Sequence, residues 1–184
     1  SGKLPTTFLK RWEDSNAFGR YPGNGKTVDY SDGIFVGYRW FDSKNIAPRF
    51  PFGHGLSYTN FDYSALNVKR LADGGAIVSF NLKNTGKVAA EEVAQVYIEP
   101  KNAPVERPLR ELKGFRKVSL KAGESTFVTI DLGPESFSYF EPKTLSWITA
   151  RGDYGIVVGS SSRDLRLRGA VKQPKTIVVE RENR

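Results

Sequence analysis

The chain has 184 residues, 39% of them apolar and 12% aromatic, enough for one full domain with a sizeable extension. It has no cysteine, which excludes disulfides, thiol chemistry and sulfur-ligated zinc. Its formal net charge is +8, but residues 163–184 hold seven basic and three acidic side chains, so +4 of the excess sits in the tail. The remainder is spread too thinly for a phosphate-tracking surface, and nucleic acid is not expected as a partner.

No run of about 18 apolar residues occurs, so neither a transmembrane helix nor a membrane partner is expected. A basic n-region followed by an apolar run is also missing. There is no methionine. The expectation is an excised piece of something larger.

Residues 1–8 are extended in character, because Pro5 biases Leu4 toward β or polyproline geometry. Residues 11–30 set Trp12, Phe18, Tyr21 and Tyr30 among Pro22, Gly23, Asn24 and Gly25, with neither a helical nor a strand period. So aromatic an irregular segment is expected to lie along another surface rather than to act as a solvated linker. Residues 34–41 (Ile-Phe-Val-Gly-Tyr-Arg-Trp-Phe) are strongly β-prone, and a turn is expected at 42–45. The organising stretch is 51–59, Pro-Phe-Gly-His-Gly-Leu-Ser-Tyr-Thr. Its two glycines, two apart, suggest positive-φ turns or a backbone passing close to another surface.

From Phe61 the alternation is regular. Ala76, Val78, Phe80 and Leu82 make one face of a strand, and 93–98 is a mostly apolar central-type strand. Residues 112–120 turn Val118 and Leu120 inward, and a hairpin-like turn at 121–124 leads into Thr126, Val128, Ile130 and Leu132. Residues 136–139 and 145–149 flank another turn. Tyr154, Ile156 and Val158 open the next strand, and 165–171 makes the last. Seven or more short strands at about ten-residue spacing predict an all-β antiparallel sandwich of the fibronectin-III or immunoglobulin type, behind a long irregular N-terminal segment.

Chemistry is sparse. His54 is the only histidine. It lies between glycines, without a nucleophile elbow or a second metal ligand. Asp29 and Asp32 share a loop, while Glu91 and Glu92 are adjacent and so point to opposite faces of a strand; neither pair is placed by spacing as a glycosidase carboxylate pair. No calcium loop or phosphate-cradling loop is present. No catalytic residue, metal or cofactor is expected. Should the chain act alone, Asp29, Asp32 and His54 are the first residues to test.

Several segments together resemble the C-terminal part of glycoside hydrolase family 3, the β-glucosidase type with a fibronectin-III-like domain. They are residues 1–8; Gly-Ile-Phe-Val-Gly-Tyr-Arg-Trp-Phe-Asp at 33–42; the stretch 51–59; Leu-Lys-Gly-Phe-Arg-Lys-Val at 112–118 with Ala-Gly-Glu at 122–124; and Gly-Asp-Tyr-Gly-Ile-Val-Val-Gly at 152–159. The resemblance implies that 1–57 are the end of a preceding α/β domain plus a wrapping linker, 58–172 the sandwich and 173–184 a tail. It implies a parent that removes terminal non-reducing β-D-glucosyl residues with retention, its nucleophile and acid/base lying before Ser1, and a periplasmic or secreted location. The partner implied is the catalytic domains of the same enzyme, with Trp12, Tyr21, Phe35, Tyr38, Trp40, Phe52, His54 and Tyr58 as interdomain interface residues. Two alternatives stand: a polysaccharide- or cell-wall-tethering module, and a stand-alone fibronectin-like adhesion or binding domain. Tethering predicts a coplanar row of exposed aromatics on the sandwich.

Overall fold

The computed structural model describes residues 2–179. The first named strand, β1 (Phe61–Arg70), begins where the irregular segment ends. It is followed by β2 (Ala76–Asn84), β3 (Ala90–Pro100), β4 (Glu111–Leu120) and β5 (Ser125–Leu132). A short hairpin of β6 (Tyr139–Glu141) and β7 (Ser146–Thr149) precedes β8 (Gly152–Gly159), β9 (Leu165–Gln173) and β10 (Ile177–Val179). The strands form a three-stranded sheet β1-β2-β5, a four-stranded sheet β4-β3-β8-β9 and a small sheet β10-β7-β6. Every pairing is antiparallel.

Period-two alternation builds the core. Val78, Phe80 and Leu82 of β2 and Val128, Ile130 and Leu132 of β5 face Ala94, Val96 and Ile98 of β3 and Ile156 and Val158 of β8. This is the sandwich the alternation predicts. Gly114 on β4 fits the same interface, since a Cβ there would lie 2.6 Å from Ile130 Cγ2.

Three local expectations are corrected. The β-prone stretch 34–41 does not form a strand; it runs into a one-and-a-half-turn helix, α1 (Tyr38–Ser43). Intrinsic preference is overridden by the tertiary contacts of Tyr38 with Phe52 and Tyr97 and of Asp42 with Arg163, while Gly37 at φ +54 turns the chain into the helix. The turn at 121–124 is not a hairpin. It crosses from β4 in one sheet to β5 in the other, and β5 pairs with β2. Finally, Pro134–Phe137 is a 3-10 turn that packs Phe137 into the core, so β6 starts only at Tyr139. Beyond Gln173, residues 177–179 pair along β7, and positions 180–184 of the tail lie outside the described residues.

Candidate functional site

The four-stranded sheet has an unusual outer face. Gln95, Tyr97 and Glu99 point away from the core, yet all three are buried. What covers Gln95 and Tyr97 is the N-terminal segment 2–60, which runs as a strap across this face, while Glu99 is met by Lys101, Arg110 and Arg168.

The strap is first tied to itself. Leu4 N–H donates to the His54 carbonyl at 2.8 Å, Gly53 N–H donates back to Leu4 at 2.8 Å, and Phe8 and Phe50 form an antiparallel bridge. Residues 4–8 and 49–54 thus make a small ladder. Ser162 N–H then donates to the Phe52 carbonyl at 2.9 Å, which joins that ladder to the β8–β9 turn. Gly53 sits at φ +79, and a Cβ there would collide with the Gln95 side-chain amide. Gly55 has a similar reason for lacking a side chain, because a Cβ would run into the Gly2 carbonyl. The glycine pair of the organising stretch therefore supplies both a positive φ and close approach.

Aromatic packing extends the contact. The Tyr38 ring stacks on Phe52 at 4.9 Å and meets Tyr97 edge-on at 6.0 Å. Leu112 N–H donates to the Tyr38 hydroxyl at 2.8 Å, so β4 is pinned to α1. Tyr97 donates its hydroxyl to Gln95 Oε1, and Gln95 Nε2 donates to the Ser160 carbonyl at 2.8 Å. Burial raises the Tyr97 phenol well above its ordinary range and keeps it protonated.

Beside the aromatics lies a charged cluster. Asp42 of α1, its side chain 2% exposed, contacts Arg163 Nε at 2.5 Å and Arg110 Nη1 at 3.6 Å. Arg110 also approaches Glu99 Oε1 at 3.3 Å and donates to the Ser162 carbonyl at 2.7 Å. Arg163 donates to the carbonyls of Phe41 and Ile46, closing the C-terminal end of α1. Burial raises the Asp42 pKa in spite of both guanidiniums. At Glu111 the balance reverses: burial pushes its pKa up, but Lys113 and Arg107 more than offset it and leave it lowered.

The interface residues expected from sequence fall into two groups. Tyr38 and Phe52 are spent inside the chain, on the sandwich. Trp40 is half-buried, with its Nε1–H donating to the Asp14 carbonyl at 3.0 Å, and Phe35 is half-buried with its carbonyl accepting from Asn16. The rest face outward: Trp12, edge-on to Phe18, Tyr21, and Tyr58, which is 101% exposed; His54 is half-buried and stacks on Phe50 at 5.4 Å. Phe8 and Phe50 are further outward-facing groups that the sequence does not mark, nor does it mark Gln95, Tyr97, Asp42, Arg110 and Arg163 as the docking site. One signal was available, since 93–98 read as a central strand and a strand covered on both faces is what the structure contains.

The candidate carboxylates are not brought together. Asp32 pairs with Arg20 at 2.7 Å, while Asp29 is exposed. Glu91 pairs with Lys117 at 2.6 Å on the surface, and Glu92 points inward to Tyr63 and Lys3. Among the described residues no group of three His, Cys, Asp or Glu could hold a metal ion.

Comparison with known proteins adds kinship to this geometry. The profile of the Fn3-like family, the fibronectin type III-like domain, matches residues 92–162. The thermostable β-glucosidase B of Acetivibrio thermocellus is 41% identical over 184 residues, covering 98% of this chain and 24% of that enzyme. An exo-α-(1→6)-L-arabinopyranosidase of Bifidobacterium breve is 44% identical over 165 residues, covering 90% of this chain and 22% of the relative. The crystal structure of a GH3 β-glucosidase from Bifidobacterium adolescentis superposes with a TM-score of 0.90 at 43% identity, over 93% of this chain and 25% of that one. The chain spans about a quarter of the length of these relatives.

Proposed function

We propose, for a chain that belongs to the glycoside hydrolase family 3 β-glucosidases through their fibronectin type III-like region, a non-catalytic structural role. In this reading the sandwich and its strap stabilise the catalytic domains of an exo-acting β-glucosidase that releases terminal non-reducing β-D-glucosyl residues with retention, in the periplasm or outside the cell. The strap is the adaptor. Its inner side is committed to the sandwich, and its outer side is left for the catalytic domains.

One observation carries this. Of the eighteen large hydrophobic side chains exposed among the described residues, eleven lie at positions 8–58 and seven in the remaining two thirds. A concentration of that kind marks an interaction surface rather than the scatter every protein shows. The tethering alternative draws less support, because Phe115 and Phe127, two exposed aromatics of the sandwich proper, lie on the outer faces of different sheets.

The test is complementation. The A. thermocellus β-glucosidase B, shortened by its matching quarter, is mixed with this chain and assayed on a chromogenic β-glucoside. The shortened enzyme and the chain should each be inert alone, and activity should return on mixing. Turnover by the chain alone, or full activity of the shortened enzyme, would overturn the reading.

A further inference from the structure

Beside the joint between strap and sandwich lies a cleft of about 400 Å³, lined in part by the Glu92–Tyr63–Lys3 group already described. One wall belongs to the strap, through Lys3 and residues 55–57. The other is built by β1, by Glu92 on β3, by the β8–β9 turn and by Arg166 on β9.

Its chemistry is specific. Lys3 Nζ donates to Glu92 Oε1 at 2.9 Å, and the Tyr63 hydroxyl donates to the same oxygen at 3.0 Å. Both donors converge on one carboxylate oxygen, so among the described residues Glu92 Oε2 carries no hydrogen bond, in a side chain only 6% exposed. Burial, with Glu92 beside it, raises the Tyr63 pKa and holds that phenol in its donating form. Across the cleft Asp164 takes Arg166 Nε at 2.6 Å and the Ser160 hydroxyl.

The cleft therefore presents two ammonium or guanidinium groups and two carboxylates, and their charges cancel. That balance disfavours an anion, and two carboxylates are too few for a divalent cation. It suits a neutral ligand rich in hydroxyls, each of which both donates and accepts. Such a ligand can donate to Glu92 Oε2 and Asp164 while accepting from Lys3 and Arg166. Leu56 and Phe61 give it an apolar wall for its C–H face. We propose that this cleft binds one neutral polyhydroxylated ligand of pyranose size, held between strap and sandwich. The proposal does not rest on the docking role, because binding is read on the chain by itself.

The probe is D-glucose, titrated into the 184-residue chain by calorimetry and followed by ligand-observed NMR, with inorganic phosphate and calcium chloride as parallel titrants. Expected is a weak, saturable glucose isotherm that Arg166→Ala weakens by about tenfold, the loss of one charge-assisted hydrogen bond. Because Arg166→Ala also breaks the pair with Asp164, a second variant, Ser57→Trp, fills the exposed rim and leaves the charged groups in place. It should abolish binding without lowering Tm. The proposal is overturned if glucose does not saturate, if both variants bind it unchanged, or if phosphate or calcium binds in its place.

Discussion

Arg163, in the β8–β9 turn, does two things to α1 at once: its Nε pairs with Asp42, and its Nη2 donates to the carbonyls of Phe41 and Ile46. A single side chain of the sandwich thus fixes both the charge and the open end of the strap's only α-helix among the described residues. Arg163→Ala leaves Asp42 buried with Arg110 alone. Breaking a fully buried pair costs about 3–5 kcal/mol. Arg163 is 31% exposed, so about 2 kcal/mol is expected here. Urea denaturation should show a lower midpoint at unchanged slope. Limited trypsin digestion should cut faster at Arg20, Lys26 and Arg39 than in the parent chain. A midpoint shift without faster cleavage in the strap would show that the cluster does not hold it.

Acid should act on the two buried carboxylates in opposite senses. Glu111 has a folded pKa below its ordinary value of 4.5, so its contribution is present above that pH and is lost as pH falls through the folded pKa. Asp42 has a folded pKa above its ordinary value of 3.8, so its ionisation opposes folding, and that penalty fades as pH falls. Glu111→Gln should therefore be less stable than the parent chain at pH 7, with the gap narrowing below pH 4.5. Asp42→Asn should show a gap that does not narrow in that window. Chemical denaturation at pH 7 and pH 4 distinguishes them, and parallel pH profiles for the two variants would contradict this assignment.

Gly53 tests the joint itself. At φ +79 an L-residue is strained, and here its Cβ also meets a Gln95 amide held by Ser160 and Tyr97. Gly123 has nearly the same φ, +75, but open space around it. Gly123→Ala should cost about 1 kcal/mol from backbone strain alone. Gly53→Ala should cost at least about 1 kcal/mol more. Equal losses, read from urea midpoints, would mean that the close approach to Gln95 has no energetic weight.

The legible part of this chain is the part governed by alternation. Val78, Phe80 and Leu82, or Val128, Ile130 and Leu132, announce a half-buried strand by spacing alone, and the sandwich follows. The glycine pair at 53 and 55 was readable for the same reason: few backbones need two side-chain-free positions so close together. The helix at 38–43 was not. Its aromatics favour a strand locally, and what selects the helix is Tyr38 against Phe52 and Tyr97, and Asp42 against arginines far along the chain. Sheet pairing after 121–124 was equally hidden, since a turn sequence does not state which sheet the next strand joins. At the surface, Trp12, Tyr21 and Tyr58 could be told from Tyr38 and Phe52 only once the fold showed which rings the sandwich already occupies.

That division of aromatics leads to a last expectation. Leu56 is 85% exposed and Tyr58 101% exposed, so removing either side chain takes nothing from the core of the isolated chain. Leu56→Ser and Tyr58→Ser should each leave the urea midpoint within the range of about 0.5 kcal/mol typical of surface changes. If the outer side of the strap meets the catalytic domains, the double variant should nonetheless restore much less activity in the complementation assay. The loss should appear as a higher chain concentration needed for half-maximal recovery, because truncating a desolvated apolar anchor costs binding rather than folding. Tyr38→Ala should show the reverse pattern, with a fall of about 3 kcal/mol in stability of the chain itself. Should Leu56→Ser/Tyr58→Ser complement as well as the parent chain, the docking surface is not at the joint, and the exposed aromatics at 12–30 become the place to look for it.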